Sequence, residues 1–524
     1  LVVPRLTIRV PLGASRRRRG MAVPQVVIIL VSLTVLALLI FSLTPRSASE
    51  TSGGKPSGNA SEQPLVVYCA ASNKSVMEAI RADYEQAFQR PLQIQYGASQ
   101  SLLASLDVSK TGDLYLPADA SYLAPARERK LVADEFPLAE MQAVVAVPKG
   151  NPKQIRGLAD LLKADIRIAQ ANPDATAIGK MTRDALQAQG HWEALQRKTT
   201  VFKTTVNEVA NDVKVGAIDA GIVFDAVLHD YESLEAVSIP ELAKCRAQVA
   251  LAVLKSSAQP AEALHFARYV AAQDKGLVRY REFGFQPVAG DAWSEVPEIV
   301  LYAGSMLRPA IEETITAFER EKGVRVIRSY NGCGILVAQM KAGQVPDAYF
   351  ACDSEFMNQV KDLFPASQEI SQNELVILVK KGNPHDIRSL KDLTKPGLRV
   401  GIGHEKQCAM GWLTQRTFDE SGLKTEVMKN VVVQTPTGDM LVNQMRSGSL
   451  DAAVAYLSNA AGSADFLDAI RIQGIPCSVA TQPFGVAKDS SHKLLTSQLL
   501  EAIRAESSQE RFSNEGFRWV DGSK

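Results

Sequence analysis

Apolar and polar positions follow two alternating rhythms along residues 65–520. The run "PLVVYCA" (Pro64 to Ala70) is short and apolar, the pattern of a buried strand, and after it Val76, Ile80, Tyr84 and Phe88 recur at every fourth position. That spacing lines up one face of an amphipathic helix. The same reading predicts strands at "LQIQYG" (Leu92 to Gly97), "DLYLPA" (Asp113 to Ala118), "AVVAVPKG" (Ala143 to Gly150), "IRIAQ" (Ile166 to Gln170) and "AGIVF" (Ala220 to Phe224), with helical patterns between them. Strands alternating with helices predict an α/β fold, here with a parallel sheet covered by helices on both faces. In such sheets, ligands sit beyond the carboxyl ends of the strands.

The whole rhythm occurs twice. "KGNPKQIRGLADL" (Lys149 to Leu161) returns as "KGNPHDIRSLKDL" (Lys381 to Leu393), 232 residues later, with nine of thirteen positions identical. "VVYCAAS" matches "IVLYAGS" at a shift of 233, "DLYLPAD" matches "DAYFACD" at 234, and "VGAIDAGIVF" matches "SGSLDAAVAY" at 232. Collinear matches with so little drift mean two homologous domains in tandem, read as 65–296 and 297–520. The Gly-Asn-Pro of the repeated phrase marks a strand end and a turn, so the phrase reads as structural.

The residues before these domains follow a different pattern. Residues 1–25 are a basic N-terminal segment with four consecutive arginines, Arg16 to Arg19, and 26–43 is "VVIILVSLTVLALLIFSL", eighteen residues without a charge. Such a run is long enough to cross a bilayer, and the basic flank favours a cytoplasmic N-terminus. It predicts a transmembrane anchor or signal segment, with both domains outside the cytoplasm. Residues 44–64, rich in Ser, Gly and Pro, read as a flexible linker. Across the chain, 58 basic residues balance 57 acidic ones, so no basic face is expected and nucleic acid is not an expected partner.

Candidate chemistry lies at four strand-to-helix loops of the first domain. These are "AASN" with Ser72, "GASQS" with Ser99, "NPDATAIG" (Asn172 to Gly179) and "KTTVNE" with Val206. Helix N-termini leave unpaired N–H groups and a partial positive charge, and hydroxyls add donors without formal charge. Together they suit a small oxyanion, although Ser and Thr also serve simply as helix caps.

In "AAS", "YGAS", "NPDATAIG" and the later "VGAIDAGIVF", the chain resembles the molybdate/tungstate-binding proteins of ABC importers, within the two-lobed periplasmic solute-binding class. The resemblance implies two tandem Venus-flytrap domains, each with two α/β lobes on a hinge of two strands, closing on an oxyanion. It implies donors from Ser72 and Ser99 in one lobe and from Thr176, Ala177 and Val206 in the other. By matching position, the second domain's set is Ser305, Cys333, Cys408, Ala409 and Gly438. The implied function is capture of molybdate or tungstate for an ABC permease, with no cofactor, no metal and no catalysis; sulfate or phosphate binding, or a sensor or enzyme reusing the fold, are the alternatives.

The second domain departs from the first. Cys333 stands for Ser99, and its third loop, "GHEKQCAMG" (Gly403 to Gly411), carries His404 and Cys408. Cys333 and Cys408 can act as small donors in an altered oxyanion site, or pair as a disulfide across the cleft. Joined by His404 and Cys352 they could hold a soft metal, and a Cys333–His404 dyad is a further option.

Overall fold

The computed structural model describes residues 63–520, so the apolar segment 26–43 lies outside the described residues. Among the described residues no helix is long and apolar enough to cross a membrane.

The first domain has ten strands: β1 (Leu65–Ala70), β2 (Leu92–Gly97), β3 (Leu114–Leu116), β4 (Val132–Pro148), β5 (Ile168–Ala171), β6 (Thr199–Lys203), β7 (Ala220–Phe224), β8 (Leu234–Val237), β9 (Arg246–Leu254) and β10 (Gln286–Pro287). They order as β2-β1-β3-β9-β4-β7-β5-β6, with β8 and β10 also paired to β4. The second domain repeats them as β11 (Glu298–Gly304), β12 (Arg325–Asn331), β13 (Ala348–Phe350), β14 (Ser367–Lys380), β15 (Val400–Gly403), β16 (Val431–Thr435), β17 (Ala452–Tyr456), β18 (Leu467–Arg471), β19 (Val479–Val486) and β20 (Arg518–Trp519). Its order, β12-β11-β13-β19-β14-β17-β15-β16, is the first order with ten added to every strand.

The sheets are mixed, which corrects the parallel sheet expected from the alternation. β1 runs parallel to β2 and β3, and β5 runs parallel to β6 and β7. β9 is antiparallel to both β3 and β4, and β4 is antiparallel to β7 and β8. The cause is β4, which is shared between two lobes. Its residues from Val132 to Gln142 pair with β9, and those from Ala143 to Pro148 pair with β7 and β8. A chain that crosses between lobes and returns alongside itself pairs antiparallel and needs no crossover helix. At the crossing point the Gln142 N–H donates to Asp225 at 2.9 Å and its side-chain amide donates to the Leu242 carbonyl at 2.8 Å.

The duplicated phrase forms the turn that ends this long strand. Gly150 and Asn151 have φ of +83° and +43°, and Gly382 and Asn383 have +80° and +47°. Left-handed backbone favours Gly and Asn over other residues. The Asn151 side chain then accepts from the Ile155 N–H at 2.9 Å and donates to the Ile155 carbonyl at 2.8 Å. Asn383 does the same with Ile387, at 3.0 and 2.8 Å. The phrase is repeated because it builds the same closed turn twice.

Each domain has its own apolar core. The domains also meet: Lys322 of the second pairs with Asp134 of the first at 2.8 Å, with both side chains largely buried. Asp291, in the connecting segment, accepts from the N–H groups of Leu494 and Leu495 at 2.8 and 2.9 Å.

Candidate functional site

In the first domain all five expected residues line one cavity between the lobes. Ser72 and Ser99 come from one lobe, Thr176, Ala177 and Val206 from the other, and Phe224 closes the lining. The empty space, mouth included, is about 280 Å³. No charged side chain lines it.

Local structure explains what each residue offers. Ser99 opens the helix Ser99–Ser109, and its hydroxyl oxygen accepts from the Ala118 N–H at 3.1 Å. The hydroxyl proton is left to donate. Ser72 lies in the 3₁₀ turn Ala71–Asn73 and accepts from the Asn73 amide at 3.4 Å. Thr176 caps the helix Ala177–Ala188, accepting from the Gly179 N–H at 3.1 Å and donating to the Asn172 carbonyl at 2.7 Å. With its hydroxyl so occupied, this loop offers the N–H groups of Ala177 and Ile178, which as first-turn donors have no acceptor within the helix. Thr205 caps Val206–Lys214 in a capping box with Glu208, leaving the Val206 N–H free in the same way. The lobes touch over the cavity, where the Gln100 N–H donates to the Ala175 carbonyl at 3.2 Å.

Acceptors are scarce here. Glu208 is held in its capping box and Asp174 pairs with Arg183 at 2.7 Å, so both nearby carboxylates are engaged outside the cavity. The arrangement presents neutral donors at helix N-termini, which suits an anion without a formal counter-charge.

The second domain forms a matching cavity. Ser305, Cys333, Cys408, Ala409 and Gly438 all line it, together with Cys352, Thr437, Tyr456 and Asn459. The loops again touch, the Gly334 N–H donating to the Gln407 carbonyl at 3.1 Å.

Its cysteines correct the sequence-based alternatives. Cys333 is bonded to Cys352, not to Cys408. The two positions are nineteen residues apart on neighbouring loops of one lobe, whereas Cys408 belongs to the opposite lobe. With Cys333 in a disulfide there is no thiol for a Cys333–His404 dyad. His404 instead accepts from the Lys406 N–H through Nδ1 at 3.2 Å. Among the described residues no group of three or more His, Cys, Asp or Glu is placed to hold a metal ion. Cys408 is free, and burial pushes its thiol up to about 11, so it stays protonated at neutral pH. Cys69, Cys245 and Cys477 are also free.

Cys352, Tyr456 and Asn459 line this cavity without belonging to the expected donor set. The sequence points to Cys352 only as a metal ligand, and to Tyr456 and Asn459 not at all. Tyr456 stands where the first domain has Phe224, at the same shift of 232 that aligns the surrounding segments, and that alignment was the available signal.

Two lobes sharing a long strand, closing on a small cavity lined by helix N-termini, define a solute-binding domain, and this chain holds two of them. It belongs to the family described as bacterial extracellular solute-binding protein, which matches residues 65–286 and again 299–518. The molybdate-binding protein ModA of Mycobacterium tuberculosis is 26% identical over 223 residues, spanning 42% of this chain and 84% of its own. Among solved structures, the periplasmic molybdate-binding protein of Azotobacter vinelandii is similar over 42% of this chain and 98% of its own, with 18% identity and a TM-score of 0.38. The sulfate-binding protein SubI of Mycobacterium tuberculosis is similar over 43% and 88%, with 18% identity and a TM-score of 0.38. These relatives, like the family, are solute-binding proteins.

Proposed function

We propose that the first domain captures molybdate or tungstate and presents it to an ABC permease. The observation that carries this reading is the convergence of Ser72, Ser99 and the N–H groups of Ala177 and Val206 on a cavity without a charged side chain. Neutral donors replace the hydration shell of a fully ionised tetrahedral oxyanion, and lobe closure shields it. No bond is made or broken, so no base or nucleophile is required. Hydrogen phosphate fits this cavity less well, because its proton finds no free carboxylate there. The molybdate-binding relative supports the choice of oxyanion. The segment 26–43 holds the chain at the membrane, with both domains outside the cytoplasm beside the permease.

Calorimetric titration of the full chain with molybdate, tungstate, sulfate and phosphate tests this reading. A saturable heat with molybdate or tungstate, lost in Ser72→Asp, is expected. Absence of heat with both would overturn it.

A further inference from the structure

The second cavity differs from the first by replacements that compensate one another. Where the first domain has Val206 and Val227, the second has Gly438 and Asn459, both at a shift of 232. A Cβ at Gly438 would collide with the Asn459 amide, so Asn459 reaches the cavity only because position 438 has no side chain. On the other wall, Ala71, Ser99 and Ala118 become Gly304, Cys333 and Cys352. A Cβ at Gly304 would fall on the Cys352 sulfur. In both places, added bulk is matched by bulk removed beside it, which is the mark of a rebuilt site rather than a decayed copy.

The rebuilding changes the balance of donors and acceptors. The Ser99 hydroxyl donor is gone, its place taken by a disulfide. The Asn459 amide nitrogen donates to Asp439 at 3.4 Å, and this fixes which end of the amide is left over. The remaining end, the Asn459 carbonyl oxygen, is buried without a hydrogen-bond partner. Phe224 has become Tyr456, only 2% exposed, which lines the cavity and whose hydroxyl is likewise buried without a partner. Buried polar groups are seldom left unpaired, since desolvation then goes uncompensated. Both groups lie at a cavity that retains Ser305 and the helix starts at Ala409 and Gly438.

We propose that the second cleft takes a tetrahedral oxyanion that still carries a proton, of the hydrogen phosphate or hydrogen arsenate kind. This rests on the reading that these clefts bind oxyanions, but assigns the two clefts different ligands. A fully ionised oxyanion offers only acceptors, and one of its oxygens would face the Asn459 carbonyl with no proton between them. A ligand with one O–H donates that proton to Asn459 and accepts from the Tyr456 hydroxyl and the helix N–H groups. Sulfate, equal in shape to phosphate but without the proton, is rejected.

The test is calorimetry on the full chain at one neutral pH, with inorganic phosphate, arsenate, sulfate and molybdate. The wild type is compared with Asn459→Val and Tyr456→Phe, which restore the residue types of the first cleft, and with Ser72→Asp, which puts a carboxylate into the first cleft. One equivalent of phosphate is expected to bind, at least about tenfold more tightly than sulfate, corresponding to one hydrogen bond of discrimination. Ser72→Asp should leave it intact, and each second-cleft variant should weaken it by at least about tenfold. The isosteric Tyr456→Phe guards against misfolding as the cause. No phosphate binding, equal affinity for sulfate, loss of phosphate binding in Ser72→Asp, or unchanged affinity in both second-cleft variants overturns the proposal. Molybdate binding sensitive to Ser72→Asp reports separately on the first cleft, so either reading can fail alone.

Discussion

Cys333 and Cys352 are covalently joined at the place where, in the first domain, the Ala118 N–H donates to the Ser99 hydroxyl oxygen. The same two loops are pinned to each other in both copies, once by a hydrogen bond and once by a disulfide. In the first copy the pinning residue also points a hydroxyl at the cavity; in the second it presents sulfur.

This difference can be counted chemically. The chain has six cysteines, four of them free. Alkylation of the denatured chain should add four labels without reductant and six after reduction, with the two new labels mapping to Cys333 and Cys352 by mass spectrometry. Replacing the pair together, Cys333→Ser with Cys352→Ala, recreates the hydrogen-bonded arrangement and should lower stability by about 2–4 kcal/mol, as expected for a loop of this length. Denaturant unfolding measures the loss.

Ser72→Ala and Ser99→Ala should each weaken oxyanion binding in the first domain by about 1–3 kcal/mol, the worth of a hydrogen bond to a charged group. Ser99→Ala should also lower the melting temperature, because the buried Ala118 N–H loses its acceptor. Ser72→Ala carries no such loss of a backbone partner. Titration calorimetry and thermal melts on the two variants separate the effects.

Asp353 gives the second domain a pH dependence. Burial, with a smaller contribution from the neighbouring Glu355 carboxylate, pushes its carboxyl up to about 6. An unfolded aspartate titrates near 3.9. Between these values the folded chain keeps a proton that the unfolded chain has released. Stability therefore falls as pH rises from about 4 to about 6 and stays lowered above that. Asp353→Asn removes the penalty while keeping a residue type that can cap the Glu355 N–H. The variant and wild type should unfold alike below about pH 4, and the variant should be about 2–3 kcal/mol more stable above pH 7. Melting curves across this range check the crossover.

The repeated Gly-Asn-Pro turn should matter for stability and not for binding. Asn151→Ala and Asn383→Ala each remove two side-chain bonds to one Ile residue and place alanine at positive φ. A cost of about 2–3 kcal/mol is expected from the lost bonds and the left-handed backbone. Ligand affinity measured on the surviving folded protein should not change, since neither residue lines either cleft.

Much of this molecule is written locally. The duplication is legible because matching segments keep a nearly constant shift, and the strands and helices because their apolar spacing differs. The loops with Ser72, Ser99, Thr176 and Val206 stand out because helix starts use a recognisable set of small polar residues. What was not legible depends on direction and on distance through space. Periodicity says that Val132–Pro148 contains a strand but not that it serves two lobes, so the mixed sheets went unforeseen. Cys333 had several candidate partners in sequence, and only the adjacency of two loops selects Cys352.

The sequence by itself thus determined that two homologous α/β domains follow one another, and that the starts of their helices carry small donor groups. Local periodicity and capping chemistry are enough for that. Only the tertiary structure decided which groups face one another across each cleft. Gly438 makes room for Asn459, Gly304 makes room for Cys352, and Tyr456 is left with a buried, unpaired hydroxyl. These are contacts between residues distant along the chain, set by packing, and no local pattern encodes them.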